Sequence, residues 1–346
     1  MLAIAEEVKK SHSKAKFLLV GTKTGPEGLM ARNAGIPFEY IEAGKLRRYL
    51  SLKNLAAPVQ AVIGFYQAFK ILKSFKPDCV FGTGSFVQVP VVWAAWILKI
   101  PVVLHQQDVV AGLANKLCQF QASKITVTFE ASLRGFSESV GFFYKKRKEK
   151  IILTGNPFRE ELKEIKKEDA LNFFHLKKDL PVLLILGGGT GAEFINNLIV
   201  EALPNLSKTV QIIHSTGKGK LKYGQSENYH PYEFIDNMGA AYAAADIVLC
   251  RAGLSTITEL SYLKKLGIII PIPSSHQEHN ALQLLAFEAA IVLGQNKTTA
   301  SGFVGLIRKL LFAHDIENLL KTNIAKIMPH TANKKIAEII IKYAEH

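Results

Sequence analysis

Short apolar, β-branched runs alternate with amphipathic stretches along almost the whole chain. In the first half the runs are KFLLVG, CVFGTG, PVVLHQ, KITVTF and KIILTG. In the second half they are PVLLILGG, VQIIHSTG, PYEFID, DIVLCRAG and GIIIPIP. Runs of this length with apolar residues at successive positions fit strands covered on both faces, as in parallel doubly wound sheets with helices between. Two such sets of about 150 residues each predict an α/β protein of two Rossmann-like domains. The expected division is residues 1–155, then 156–322, with a final helix over 323–346 packing across the junction. It follows the basic run KKRKEK, Lys145 to Lys150, and lies near Asn156-Pro157.

The first element breaks the pattern. Met1 runs straight into a helical period, LAIAEEVKKSHSK, whereas a sheet of this kind opens on a strand and a Gly-rich loop. Either the first domain lacks its opening strand or roughly 15–20 residues that belong before it are missing. The second is preferred, because losing a central strand leaves ladder groups unpaired. The apolar run from Phe86 to Leu104 is interrupted by Pro90, Lys99 and Pro101, so it reads as a buried helix and a strand, not a membrane span.

Composition narrows the class. With 346 residues, 48% hydrophobic and 21% charged, the chain is globular with ample core. The net charge of +14 favours an anionic partner: nucleic acid, an anionic membrane or a phosphorylated substrate. No nucleic-acid-binding fingerprint accompanies the charge. Cys79, Cys118 and Cys250 follow no spacing pattern, which argues for free thiols over disulfides or a zinc site.

Candidate chemistry gathers where strands end. After DIVLC comes Arg251-Ala252-Gly253-Leu254-Ser255-Thr256 and then Glu259. A helix N-terminus, a glycine and two hydroxyls at one place suit a diphosphate, with Glu259 one turn in to reach a ribose. The competing reading is Thr256-x-x-Glu259 as a capping box. Gly187 to Ala192 (GGGTGA) fits the loose dinucleotide pattern, but no acidic residue ends the next strand, VQIIH, which disfavours a nicotinamide cofactor. Gly82-Thr83-Gly84-Ser85 and His105-Gln106-Gln107-Asp108 close two strands of the first domain, where ligands bind in open α/β sheets. His276 and His279 are spaced as a metal pair without a third ligand, so no metal is expected; Gln277 and Asn280 fit hydroxyl recognition on a sugar. Lys45 to Lys53 leads into Leu55 to Tyr66, and this mixture of basic and apolar residues suggests a surface for an anionic membrane, against the plainer reading of a solvated helix face.

Together, GKLRRYLSLKNL, KPDCVFGTGSF, PVVLHQQDVVAGLANK, ILTGNPFRE, LILGGGTGAEFIN, FIDNMGAAYAAADIVLCRAGLSTITEL and PIPSSHQEHNA resemble the MurG family of glycosyltransferases, in family order over nearly the whole chain. The resemblance implies a GT-B fold of two Rossmann-like domains facing across a cleft. It implies an inverting transfer of N-acetylglucosamine from UDP-N-acetylglucosamine to an undecaprenyl-diphospho-muramoyl-pentapeptide, at the cytoplasmic face of the bacterial plasma membrane. No further cofactor is implied. The donor residues would be Arg159, Gly189, Thr190, Gly253, Leu254, Ser255, Thr256, Glu259, Gln277 and Asn280. Gly84, Asp108 and Asn115 would line the acceptor side, and His105 would be the candidate base.

The chain departs from the family at three places. The N-terminal GGTGGH-type loop has no counterpart, HEQN reads His105-Gln106-Gln107-Asp108, and GGSQGA reads GGGTGA. Two alternatives stay open: another GT-B enzyme moving a UDP-sugar onto a lipid, or a non-catalytic relative that binds the same molecules.

Overall fold

The computed structural model describes residues 1–44, 53–137, 150–188, 191–221 and 224–345, without the side chains of 53–58, 134 and 137. The chain divides into two compact units, one of residues 1–157 with 329–346, the other of Phe158–Met328.

The first unit opens on helix α1 (Leu2–Ser11), which buries Ile4 and Val8, one turn apart, and ends on Lys9 and Lys10 at the negative pole of its dipole. Strands β1 (Leu19–Gly21) and β2 (Phe38–Tyr40) pair in parallel as a sheet of two, with α2 (Glu27–Asn33) between them. Strands β3 (Val80–Gly82), β4 (Val102–Gln106), β5 (Lys124–Val127) and β6 (Ile151–Leu153) form a separate parallel sheet in that order. Every β4 residue is buried, whereas β1 and β3, at open sheet edges, are only partly covered. Helices α3 (Lys53–Phe75), α4 (Gln88–Ile97), α5 (Leu113–Cys118) and α6 (Glu130–Ser137) lie between the strands, α4 packing against both α3 and α5. The C-terminal helix, Ala332–Ala344, packs on α1 in a core shared by Ile4, Val8, Ile336 and Ala337.

The second unit has one six-stranded parallel sheet. Its strands are β7 (Val182–Leu186), β8 (Gln211–Ser215), β9 (Tyr229–Tyr232), β10 (Ile247–Cys250), β11 (Leu266–Ile269) and β12 (Ile291–Val292). Their order is β12-β11-β10-β7-β8-β9, so the winding reverses between β7 and β10. The helices are α7 (Lys167–Phe173), α8 (Glu193–Leu206), α9 (Met238–Ala244), α10 (Leu254–Leu263), α11 (His276–Ala286), α12 (Ala300–Leu310) and α13 (His314–Ile324). The core is aliphatic, with Leu183, Ile185, Ile195, Ile199, Ile212, Leu249, Ile268 and Ile307 all fully covered.

The doubly wound α/β class follows the sequence reading, with local differences. The strand expected over Pro231–Asp236 lies earlier, at Tyr229–Tyr232; Pro231 is accommodated because β9 is an edge strand. Strands β2 and β12, of three and two residues, carried no legible pattern. Residues 323–346 are not one helix: α13 runs to Ile324, and a separate helix begins at Ala332, after Pro329. The three cysteines are free, Cys118 and Cys250 being buried and Cys79 half-buried.

Candidate functional site

In the second unit β7 and β10 lie side by side, Leu186 opposite Cys250. The loops that leave their carboxyl ends therefore start together at the topological switch point, where open α/β sheets hold ligands. After β7 the glycines are dictated by the fold. A Cβ on Gly187 would stand 2.6 Å from Ala192 N, and one on Gly191, whose φ is +72°, would stand 2.2 Å from Thr216 O. Gly189 and Thr190 lie outside the described residues.

After β10 the chain turns through Arg251 and Ala252 to Gly253, the N-cap of α10. The capping box is not formed. Leu254 is the first helical residue, so Thr256 sits inside the helix, and no side chain caps its N-terminus. The amides of the first turn thus face outward with the positive end of the helix dipole, an arrangement suited to phosphate oxygens. Ser255 is exposed and Thr256 half-buried at the same turn, while Leu254 is core. Buried Asn280, on α11, donates from Nδ2 to Ala252 O at 3.1 Å and so ties α11 to the turn. Gln277 accepts from Ile272 N at 3.2 Å, which holds it beside the loop after β11. Arg251 donates to Ile270 O (3.1 Å), Pro271 O (3.2 Å) and Gln295 Oε1 (2.8 Å), binding the β10 and β11 loops together.

Glu259, on the second turn of α10, has different partners from those a capping box would give. Tyr242 Oη donates to its Oε2 at 2.6 Å, and Arg159 Nη2 stands 3.4 Å from its Oε1. Arg159 is brought there by its neighbour: Phe158 stacks on Tyr262 of α10, centroids 4.4 Å apart, one helical turn beyond Glu259. Burial pushes the Glu259 carboxyl above its usual pKa, and the Tyr242 hydroxyl and the Arg159 guanidinium pull it back. Burial and the neighbouring carboxylate raise the Tyr242 phenol well above 10. Sequence reasoning missed Tyr242; its only signal was a tyrosine among the small residues of GAAYAAAD.

In the first unit Gly84, His105 and Asn115 come together where β3 and β4 end. Gln88 links them: Gly84 N donates to its Oε1 at 2.7 Å, and its Nε2 donates to Asn115 Oδ1 at 2.5 Å. Asn115 Nδ2 donates to Gln106 Oε1 at 2.7 Å and to His105 O at 3.2 Å. Gln106 in turn donates to the carbonyls of Asp108 (2.8 Å) and Val110 (3.0 Å), so its amide shapes the loop after β4. A glutamate carboxylate there would face two carbonyl oxygens with no proton to give.

His105 does not suit the role of base. It is fully buried, with Nδ1 2.9 Å from Thr126 Oγ1 and Nε2 2.9 Å from Asn156 Oδ1. Burial lowers its pKa to about 4. Such an imidazole is neutral, has both nitrogens engaged and offers no lone pair to a substrate hydroxyl; it holds Asn156 at the end of β6. Among the described residues no three His, Cys, Asp or Glu side chains converge as metal ligands, and His276 and His279 are both exposed.

Comparison with known proteins bears on both units. The glycosyltransferase family 28 N-terminal domain matches residues 1–127, and the family 28 C-terminal domain residues 182–338. The chain is 34% identical to the UDP-N-acetylglucosamine–N-acetylmuramyl-(pentapeptide) pyrophosphoryl-undecaprenol N-acetylglucosamine transferase of Clostridium botulinum over 351 aligned residues, 99% of this chain and 95% of that protein. It is 37% identical to the protein of the same name from Lachnospira eligens, over 84% of this chain and 81% of that one. Among solved structures, MurG of Acinetobacter baumannii superposes with a TM-score of 0.70 at 24% identity, covering 99% of this chain and 94% of that one. A UDP-GlcNAc 2-epimerase from Neisseria meningitidis, bound to UDP-GlcNAc, gives the same TM-score at 18% identity over 99% of this chain and 96% of that one, a likeness of fold alone.

Proposed function

The chain belongs to the MurG enzymes of glycosyltransferase family 28, and we propose on that footing that it transfers N-acetylglucosamine from UDP-N-acetylglucosamine to the muramoyl-pentapeptide lipid intermediate of peptidoglycan synthesis. The observation that carries the donor half is the uncapped N-terminus of α10, with Glu259 and Arg159 one turn deeper. In this reading the first-turn amides take the diphosphate and Glu259 takes the ribose diol. Gln277 stands toward the sugar, with Asn280 fixing the turn.

The reaction is a single displacement. The acceptor 4-hydroxyl oxygen forms a bond to the anomeric carbon, its proton passes to a base, and the bond to the diphosphate oxygen breaks as UDP leaves with its electron pair. The helix N-terminus stabilises the charge that develops on the departing diphosphate. The test is turnover on an undecaprenyl-diphosphate-linked acceptor. Transfer from UDP-N-acetylglucosamine well above that from UDP-glucose supports the reading. A preference for UDP-glucose points to a different UDP-sugar:lipid transferase. Binding of the donor without turnover leaves a non-catalytic relative.

The acceptor in this reading is a lipid, and exposed apolar residues of the first unit support a membrane-docking surface there. Val59, Val62, Ile63 and Tyr66 of α3, Trp93, Trp96 and Ile97 of α4, and Leu113 and Leu117 of α5 with Phe120 just beyond it are exposed at one-turn spacings. Val62 is 68% exposed and Trp96 54%. These stripes lie on helices that pack side by side, and exposed Lys70, Lys73, Lys99 and Lys116 stand on or beside the same helices. Apolar anchors with lysines suit peripheral docking on anionic lipid. No described helix is long and apolar enough to cross a membrane. Of the basic segment expected to dock, residues 45–52 lie outside the described residues. Liposome co-sedimentation should require anionic lipid, fall with salt and be lost on replacing Trp96 and Phe120 by serine; binding indifferent to all three would sink this part.

A further inference from the structure

Tyr242 has no part in the reading above, yet it is the shortest contact Glu259 makes. Its ring is fully buried on α9, a short helix packed through Gly239, Ala240, Ala241 and Ala244 and capped by Asn237, whose Oδ1 accepts from Ala240 N at 2.9 Å. A ring held this way has little freedom to move its hydroxyl. The contact joins two elements that the β10 strand separates in sequence, α9 and α10. Glu259 is left with one oxygen fixed by the phenol at 2.6 Å and the other toward Arg159 at 3.4 Å, a longer contact to a half-exposed side chain.

We propose that Tyr242 is a positioning residue for nucleotide binding: its hydroxyl locks one carboxylate oxygen of Glu259 so that the other is presented, beside Arg159, to a ribose diol. The proposal rests on the donor reading of Glu259 and deepens it.

The electrostatics agree with the geometry. The groups that face the Glu259 carboxyl are Tyr242 from α9, Arg159 from the segment before the 3-10 turn Glu160–Lys163, and the Cys250 thiol from β10, which burial raises and keeps neutral. Burial, the largest influence, works against the charged carboxylate and raises its pKa; the hydroxyl of Tyr242 and the guanidinium of Arg159 work the other way. Arg159 is shared with Glu161, 3.5 Å away on its other side. The phenol is therefore a dedicated donor, and the guanidinium a divided one.

The experiment is calorimetric titration of the full chain with UDP-N-acetylglucosamine from pH 5 to 8.5, with melting temperatures in parallel, for the parent, Tyr242→Phe, Glu259→Gln and the double variant. This probe is chosen because its doubly esterified diphosphate has no group titrating in that range. Tyr242→Phe keeps the ring and should bind about 10-fold more weakly at pH 7.5, as for a lost hydrogen bond to a charged group. As pH is lowered, its affinity should also begin to fall at a higher pH than the parent's, because the carboxylate loses a donor that lowers its pKa. In turnover the donor KM should rise with kcat unchanged. Glu259→Gln should have no acid limb, and adding Tyr242→Phe to it should change nothing further. If Tyr242→Phe binds with the parent's affinity and pH profile while Glu259→Gln is weakened, Tyr242 merely packs α9 on α10 and the proposal fails alone. If the two losses add in the double variant, the phenol does not act through Glu259 and the proposal also fails. If Glu259→Gln binds as the parent does, the donor reading of Glu259 falls with it.

Discussion

Each unit hides one histidine in the same kind of setting. His105 lies between Thr126 and Asn156; His214 lies between Tyr229 Oη (3.0 Å) and Asn196 Oδ1 (3.1 Å). Burial lowers both to about pH 4, from an ordinary value of 6.5. Between those values the unfolded chain takes up a proton that the folded chain refuses, so stability falls as pH drops from 6.5 towards 4. Above 6.5 both states are neutral and the linkage vanishes. At pH 5 each histidine should cost its unit about 2 kcal/mol. Urea unfolding at pH 7.5 and pH 5 should show that loss, and His214→Gln should remove its share in the second unit; an equal loss in parent and variant would refute the linkage. Residue geometry was legible where neighbours in sequence are neighbours in space, as in the strand-turn-helix around Gly253. It was not legible for Gln88 or Tyr242, whose importance comes from a partner on another element. His105 was a candidate base only through the family resemblance, and its burial, which spacing does not reveal, argues against that role.

At the level of elements, two glycines at the switch point do different work. Gly191 is required by the backbone: its φ of +72° is left-handed, and a Cβ would strike Thr216 O. Gly253 has an ordinary φ of −73° and no atom within 4 Å of the Cβ position, so the fold itself would accept a side chain there. Gly191→Ala should therefore destabilise the second unit by roughly 2–3 kcal/mol. Gly253→Ala should leave the melting temperature nearly unchanged and weaken UDP-N-acetylglucosamine binding, since a methyl group now stands at the helix N-terminus. Calorimetry and thermal melts on the two variants check both; a Gly253→Ala protein with intact affinity would remove the diphosphate from that turn. The strands that carried this site, β7 and β10, were plain in the sequence because they are apolar throughout. The competing capping-box reading fails because Thr256-x-x-Glu259 has the right spacing one turn too late: α10 had already begun at Leu254. Short edge strands such as β12 lack enough residues to show a period at all.

For the whole molecule, the count of two α/β units could be read from alternating strands and helices. The return of the chain was expected as a helix across the junction, but which unit that helix joins could not be read. The helix Ala332–Ala344 covers Ile4 and Val8 of the first unit, and nothing in its own amphipathic pattern says which unit it joins. The same holds for the apolar stripes of α3, α4 and α5. Each is a few residues on one helix, and only the packing of the three side by side makes them a surface.

That return has a consequence for how the protein is made. The second unit leaves the ribosome as one unbroken stretch, whereas the first is finished only when the last helix is translated. Residues 158–328 are translated between the two parts of the first unit, which takes on the order of 10–30 s, and through that time α1 lacks the helix that covers its inner face. The nascent chain thus has a built-in asymmetry: the second unit can fold from one continuous stretch, while the first must wait for a segment translated after the second.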